Sequence, residues 1–551
     1  MQHATRVFTA TFIAAVGSIS ASAQGNAALI QRLDSIAGAE VRANRSVGIT
    51  AAAFKGKEKL LLAAYGKSDV ESNAPMTVAT MIPIGSVAKQ FTAVAILQLR
   101  DQGKLSLDDD VTKWLPELNM GGNKVTLRHL LAHTAGIVEL GEMQELRAAQ
   151  MMRNPSLTRD SVYKVISRYA PEFPAGTIES YSNTGYWLLG RIIEKASGMT
   201  YEDYIDKRIF VPLGMAGSMY CGSKQVANRA TPYGIRDGVS MRQQEIVHTA
   251  TYAAGAICST AGDMITWIQA LHGGKVLSAK SYAELITPAK LNDGTTLRYS
   301  MGTTIAEDSH GLRFIGHNGG GFGFSSEARW YPDAQLAIVI LTNSEPDAIT
   351  VATEAIAAAV LPPSRTERPF TGDASPLLGK YKGRAHGGDM IIVVTQSPQG
   401  LTFSINGQPN ENLPWIEGWT FRKRDNLLTF RAGATPDRAA ELRFDTGGDH
   451  YILKPVSAAA PTMAAPLSAF EGNYEGAQPG RTLTIAVEND TLRVLPSGGG
   501  KGNLIPQSGT TFFNGREGAP RTVTFNLGAD GKAISLTLKG PGTELTLKKL
   551  P

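Results

Sequence analysis

The chain has 551 residues, 42% hydrophobic and 19% charged, with a formal net charge of +5. That length is too great for one small domain, and the composition is that of an ordinary globular protein. So small a charge, with no long basic run, argues against a nucleic-acid partner.

The opening segment, "MQHATRVFTATFIAAVGSISASAQ", places Arg6 before an apolar stretch, Val7–Val16, and then Ala21-Ser22-Ala23. That is the pattern of a secretory signal, with cleavage expected after Ala23 and a periplasmic or secreted product. The stretch is too short to span a bilayer, and no later one is expected to. No cysteine follows the cleavage site, so a lipid anchor is not expected. Cys221 and Cys258 are the two cysteines. The sequence leaves a bridge and two buried thiols both open and favours the thiols.

Asn26–Asn44 shows helical periodicity, and "VGITAAAFKGKEKLLLAAYG" predicts a β-hairpin around the polar turn Lys55–Lys59. An apolar helix begins beside Ser86, and a largely helical region runs from Val125 to about Leu271. Strands return in "LRFIGHNGG", "GFSSEARWYP" and "QLAIVILTN", and a helix over Ala348–Val360 closes the segment. Strands at both ends of a helical middle predict one α/β domain whose termini share an antiparallel sheet. It would occupy residues 24–360, after a signal peptide at 1–23. A Pro-rich linker at 361–376 precedes short alternating strands over 377–456. A second linker, 457–466, precedes a similar set over 467–551. The sets open alike, "LLGKYKG" from Leu377 and "FEGNYEG" from Phe470, 93 residues apart, which predicts a duplicated β-barrel or sandwich.

Three short motifs carry chemistry. "IPIGSVAKQFTAVAILQL" sets Ser86 three residues before Lys89, on one face of a helix that is apolar all round and stops near Gly103. A lysine buried there needs partners or a lowered pKa, which would make it a proton acceptor. The helix N-terminus beside Ser86 suits a developing oxyanion. Tyr181-Ser182-Asn183 precedes a second apolar helix, and His317-Asn318-Gly319 ends a strand. Ser-x-x-Lys by itself is weak: it recurs at Ser161–Lys164, where an amphipathic, charge-flanked setting makes Ser161 a helix N-cap. His129 and His133 have zinc-pair spacing, but Leu130 stands where a metalloprotease needs glutamate. "NGGGFG" lacks dinucleotide spacing, and Leu61 replaces the first glycine of a P-loop ahead of "YGKS". No metal or cofactor is expected.

Ser-x-x-Lys, Tyr-x-Asn and a basic-x-Gly strand, in that order, resemble the serine β-lactamase and penicillin-binding-protein superfamily. The branch it looks like is the class C-like one, with D-aminopeptidases, D,D-carboxypeptidases and esterases. "GKLSLDDDVTKWLPE", "VTLRHLLAHTAGI" and "STAGDMITW" read similarly, so the likeness spans about Ile30–Ala359. The β region resembles the two lipocalin-like barrels that follow the catalytic domain of D-aminopeptidases. The resemblance implies a β-lactamase-like α/β fold with Ser86 as the acylated nucleophile. Lys89 and Tyr181 would be the proton-transfer pair, the base unassigned between them, with Tyr181 drawn toward phenolate by the ammonium. Asn183 would orient Lys89 and meet the substrate amide. Ser86 and Gly320 would supply the oxyanion hole, and His317 and Gly319 would lie in the substrate site. β-Lactamases usually carry lysine where His317 stands, and histidine is a weaker anion site. That tilts the expected substrate toward small peptides, amides or esters, D-amino-acid peptides first. The alternatives are a β-lactamase or D,D-carboxypeptidase, and a penicillin-recognising or cell-wall-binding protein without turnover. A barrel loop is further expected to gate the site.

Overall fold

The strand Gly48–Lys55 pairs antiparallel with Leu336–Thr342, nearly three hundred residues later, in a register that runs from Ile49↔Thr342 to Lys55↔Leu336. The computed structural model in which this is seen describes residues 27–550, apart from 152, 223–227, 237, 345–347, 363, 365–367, 386–387, 399, 409–410, 424–425, 433–438, 457–463, 477–481, 489–490, 497–501, 515–520 and 541–542. The signal sequence expected at 1–23 and most of the linker expected at 457–466 lie outside the described residues.

The pairing belongs to a seven-stranded antiparallel sheet, in the order Ala74–Pro75, Glu58–Asp69, Gly48–Lys55, Leu336–Thr342, Phe324–Tyr331, Arg313–Gly321 and Thr304–Glu307. Every residue of Leu336–Thr342 is buried, because both sheet faces are covered. Side chains alternate across a strand. Ile338 and Ile340 pack with Leu33, Ile349 and Ile356 from the first and last helices, 27–42 and Ala348–Val360. Ala337, Val339 and Leu341 face the larger core around the helix Ala88–Asp101. Each fully buried Ile or Leu here contributes roughly 1.5–3 kcal/mol.

The middle of the domain is helical, as its periodicity indicates, but it also holds an antiparallel strand pair, Tyr233–Arg236 with Val239–Arg242, and a small three-stranded sheet. In that sheet Met219 pairs with Cys258, which brings the next residue but one, Cys221, to a Cα–Cα distance of 5.1 Å from Cys258. The two cysteines form a disulfide, so the preferred reading of two free thiols was wrong. Strand pairing, which spacing along the chain does not reveal, supplies the geometry. Ser161 is corrected too: Thr158 is the N-cap, and Ser161 completes the capping box by accepting from the Thr158 N–H.

After the linker, strands from Gly379 to Pro455 form a nine-stranded sheet whose ends, Glu411–Asn412 and Trp415–Glu417, leave one seam open. From Gly472 to Lys549, eight strands form a closed barrel filled by Phe470, Tyr474, Phe512 and Phe525. The two are wound alike, first strand against last, and share a buried tyrosine. Tyr381 donates to the Leu377 carbonyl at 3.0 Å, and Tyr474 to the Phe470 carbonyl at 2.8 Å. The same bond at the same 93-residue offset is what a duplication leaves behind. Among the described residues no helix is long and apolar enough to cross a membrane.

Replacing Cys221 and Cys258 together by serine opens a crosslink between residues 37 apart. The loss of stability should be roughly 3–4 kcal/mol, measured by denaturant unfolding of the two proteins under non-reducing conditions.

Candidate active site

Ser86 sits in the 3-10 turn Gly85–Val87 that leads into the helix Ala88–Asp101, not in the helix proper. Gly85 has φ +50, and a side chain there would meet the Gly320 nitrogen at 3.0 Å. The turn is thus pressed against the strand Arg313–Gly321. Contact is closest at Gly319, where a Cβ would lie 2.2 Å from the Ile84 carbonyl and 2.8 Å from the Ser86 nitrogen. Gly319 is therefore the glycine that lets sheet and nucleophile turn touch, and it lies behind the cleft. Gly320, one residue on, lines the cleft with Ser86.

Lys89 follows one turn later with no solvent exposure. Its Nζ lies 3.0 Å from Ser86 Oγ, 2.7 Å from Asn183 Oδ1 and 3.0 Å from the Ala254 carbonyl. Burial drives the amine down from 10.5 to about 7, against an opposing pull from the Glu139 charge. The Ala254 carbonyl is turned in at a kink: Tyr252 has φ 35 and ψ −126 inside the helix His248–Gly255. Ala253 and Ala254 there accept from Thr92 and Lys89 of the nucleophile helix. Holding a tyrosine in that conformation costs about 1–3 kcal/mol, offset by its burial.

Tyr181 and Asn183 are placed by the start of the helix Asn183–Ser197, whose N-cap, Ser182, accepts from the Gly185 N–H at 3.1 Å. Tyr181 hydrogen-bonds Ser86, and its ring centroid lies 4.7 Å from Lys89 Nζ. Burial, with smaller contributions from Glu139 and Asp449, raises its phenol well above 10; the Ser86 bond only opposes this. The expectation of a phenol drawn toward phenolate is overturned, because desolvation penalises the anion and the neighbouring amine is itself readily neutral.

His317 is 4% exposed. Its Nδ1 is 2.6 Å from the Asn318 carbonyl, to which it must donate, so Nε2 accepts from the Tyr299 hydroxyl at 3.0 Å. Burial first, then the Lys89 charge, lowers it to about 3. It is neutral, and both ring nitrogens have hydrogen-bond partners within the protein. Its ring packs near Tyr181, with centroids 6.1 Å apart, and lines a cavity beside it. Among the described residues no cluster of His, Cys, Asp or Glu that could hold a metal forms around His129 and His133. His129 Nδ1 accepts from the Thr126 N–H at a helix start, and the His133 ring packs at a tilt against Tyr181, Tyr186 and Tyr299.

Sequence reasoning missed two acidic residues. Glu139 accepts from Asn183 Nδ2 at 2.9 Å and from the Asn183 N–H at 2.8 Å. Asp449, from the open β-sheet, accepts from the Tyr181 N–H at 2.6 Å, and a side chain at neighbouring Gly448 would meet the Tyr181 ring at 3.0 Å. Close by, the His450 N–H donates to the Glu179 carbonyl, and Thr304 to the Gly447 carbonyl. A loop of the β region, 446–449, is therefore seated beside Tyr181 and His317, where it helps to line a second cavity. The resemblance led to the expectation of a barrel loop at the site, but Asp449 itself was marked only by the turn-rich "DTGGDH" between two strands.

Residues 30–361 match the β-lactamase family, and the chain belongs to it. Residues 457–550 match a domain of unknown function, DUF3471. The chain is 30% identical to penicillin-binding protein 4* of Bacillus subtilis over 54% of its own length and 68% of that protein's. It is 27% identical to a D-aminopeptidase of Cereibacter sphaeroides, over 66% of this chain and 69% of that one. Among solved structures, the D-stereospecific amidohydrolase of a Streptomyces species superposes with a TM-score of 0.52 at 26% identity, covering 61% of this chain and 99% of that one. The protein is a serine hydrolase of this family.

Two substitutions probe the supports of the site. Gly319→Ala should push the nucleophile turn aside and lower kcat/KM by about 100-fold, the usual cost of an ångström-scale displacement. Asp449→Ala should lower kcat by roughly tenfold, with KM much less affected, because it frees the Tyr181 backbone. Steady-state kinetics on a nitrophenyl ester would read both.

Proposed function

We propose that the protein is an exported hydrolase of small amides, peptides or esters, with D-aminoacyl amides the first candidates, and that it works through an acyl-enzyme on Ser86. The observation that carries the reading is the set of partners around Lys89. A neutral amine has two N–H donors and one lone pair. The Asn183 and Ala254 oxygens are acceptors only, so they take the two N–H groups and leave the lone pair facing Ser86 Oγ at 3.0 Å. Lys89 is then the general base, and Tyr181, a neutral phenol hydrogen-bonded with Ser86, can relay the proton.

Ser86 Oγ attacks the substrate carbonyl as its proton passes to Lys89 Nζ. The negative charge that develops on the carbonyl oxygen meets the N–H groups of Ser86 and Gly320, each such donor being worth roughly 10²–10³ in rate. The proton returns through the Tyr181 hydroxyl to the leaving amine or alkoxide. Water then repeats the sequence on the ester, with Lys89 again as base. Asn183 keeps its second N–H for the substrate. Among the described residues that line the cleft there is no Arg or Lys. Pro83, Leu140, Ile246, Phe322 and Phe324 make much of the wall apolar, and Glu139 adds a negative charge. Such a cleft suits an apolar side chain and a neutral or amine-bearing substrate better than a carboxylate. The relatives named D-aminopeptidase and D-stereospecific amidohydrolase favour the D-configuration. The signal-like start and the Cys221–Cys258 disulfide favour an oxidising compartment outside the cytoplasm.

Wild type and Ser86→Ala should be compared on D- and L-aminoacyl amides, a D-Ala-D-Ala peptide, nitrocefin and nitrophenyl esters. Apolar D-aminoacyl amides should turn over fastest, with Ser86→Ala reduced by at least about 10³-fold. Nitrocefin turnover that matches the amides would favour a β-lactamase, and a stable Ser86 adduct that no substrate discharges would favour a binding protein. For the wild type, kcat/KM should rise with pH through about 7 as Lys89 loses its proton. No second ionisation from Tyr181 should appear near neutrality, since its phenol titrates well above 10.

A further inference from the structure

Glu139 precedes the short 3-10 turn Leu140–Glu142 and lines the cleft beside Asn183. Besides the two bonds to Asn183, its Oε2 lies 3.3 Å from the Thr184 N–H and 3.4 Å from Ser182 Oγ. An ionised carboxylate can only accept. The Asn183 amide must therefore turn its NH₂ to Glu139 and its carbonyl oxygen to Lys89. With the amide reversed, two oxygens would face each other at Glu139 and N–H groups would confront each other at Lys89.

The surroundings of Lys89 make the Glu139 charge stand out. Facing the amine are Ser86, Asn183, the Ala254 carbonyl, the rings of Tyr181 and Tyr186 at 4.7 and 5.5 Å, and His317. Both phenols titrate well above 10 and His317 is neutral, so none of them carries charge near pH 7. Among the described residues, Glu139 is the anion whose field reaches the amine.

We propose that Glu139 is the positioning residue of this site: it fixes the orientation of the Asn183 amide, and its charge sets the pH at which Lys89 becomes a base. The proposal rests on Lys89 being the general base, and it is separate from any effect of the Glu139 charge on substrate in the cleft. The two parts separate experimentally. Glu139→Gln removes the charge and offers Asn183 an amide that can present its own donors. Glu139→Asp keeps the charge but draws it back by one methylene.

The experiment is the pH profile of kcat and of kcat/KM for p-nitrophenyl acetate, with the full-length wild type, E139Q and E139D. Removing an anion makes the ammonium harder to keep, so the acid limb of E139Q should move down by about one pH unit. Its plateau kcat should fall by roughly tenfold or more, with KM within twofold. E139D should lose kcat to a smaller degree and keep its acid limb within a few tenths of a unit of the wild type. An E139Q limb that coincides with the wild type, or an E139D limb displaced as far as that of E139Q, overturns the proposal. If E139Q does not fold, E139D still decides, because a kcat equal to the wild type removes the positioning role. A wild-type profile with no acid limb near neutrality overturns the assignment of Lys89 and this inference with it; a limb that E139Q leaves in place overturns this inference alone.

Discussion

A primary amine with no solvent exposure has to be neutral or surrounded by protein dipoles, and Lys89 is arranged to be either. As an ammonium it has three acceptors, Ser86, Asn183 and Ala254; as an amine it keeps two of them and turns its lone pair on the serine. The arrangement has a cost. Between about pH 7 and 10.5 the unfolded chain binds a proton that the folded amine releases, so stability rises with pH across that window. At neutral pH the deficit is on the order of 5 kcal/mol, as large as the whole net stability of many domains. The rest of the catalytic domain has to hold against it, which is consistent with a nucleophile helix buried on nearly every side.

The same burial sorts the other ionisable groups. Desolvation drives the amine down, the phenol up and the imidazole down, so near neutrality the phenol and the imidazole are uncharged and the amine is poised between its two forms. What each then does depends on which neighbours can only accept. The backbone carbonyls of Ala254 and Asn318 and the Glu139 carboxylate fix the donor direction of Lys89, His317 and Asn183 respectively. Chemistry at the site is thus set less by charge than by a network of one-way acceptors. The sheet contributes a different constraint: at Gly319 only a hydrogen fits between the strand and the nucleophile turn.

Much of this was legible in the sequence. Ser86, Lys89, Tyr181, Asn183 and Gly320 come together because each is held by a local signal: a helix start, an N-cap or a strand end. The pairing of the first and last strands followed from apolar runs at both ends of the domain. Other features had no local signature. Glu139 acts on a residue 44 positions away and Asp449 on one 268 away. A single carboxylate in a loop looks like any other. The hydrogen bond between His317 and Tyr299 was not foreseen, since Tyr299 carries no motif. The ionisation of Tyr181 was misjudged because a nearby cation was weighed without the burial that outweighs it. The disulfide depended on a strand register invisible along the chain.

The bond between Asp449 and the Tyr181 N–H joins segments that leave the ribosome far apart in time. The catalytic domain, with its own core, can begin to fold once its last helix is made, as domains generally do in order of synthesis. At that stage the serine, the amine and the phenol exist, yet the clamp on the phenol has not been synthesised. The site becomes complete only when the loop at 446–449 has been made and its sheet has docked. Maturation of the active site is therefore tied to completion of the chain beyond residue 449, so an early-terminated product would carry the nucleophile without its final support.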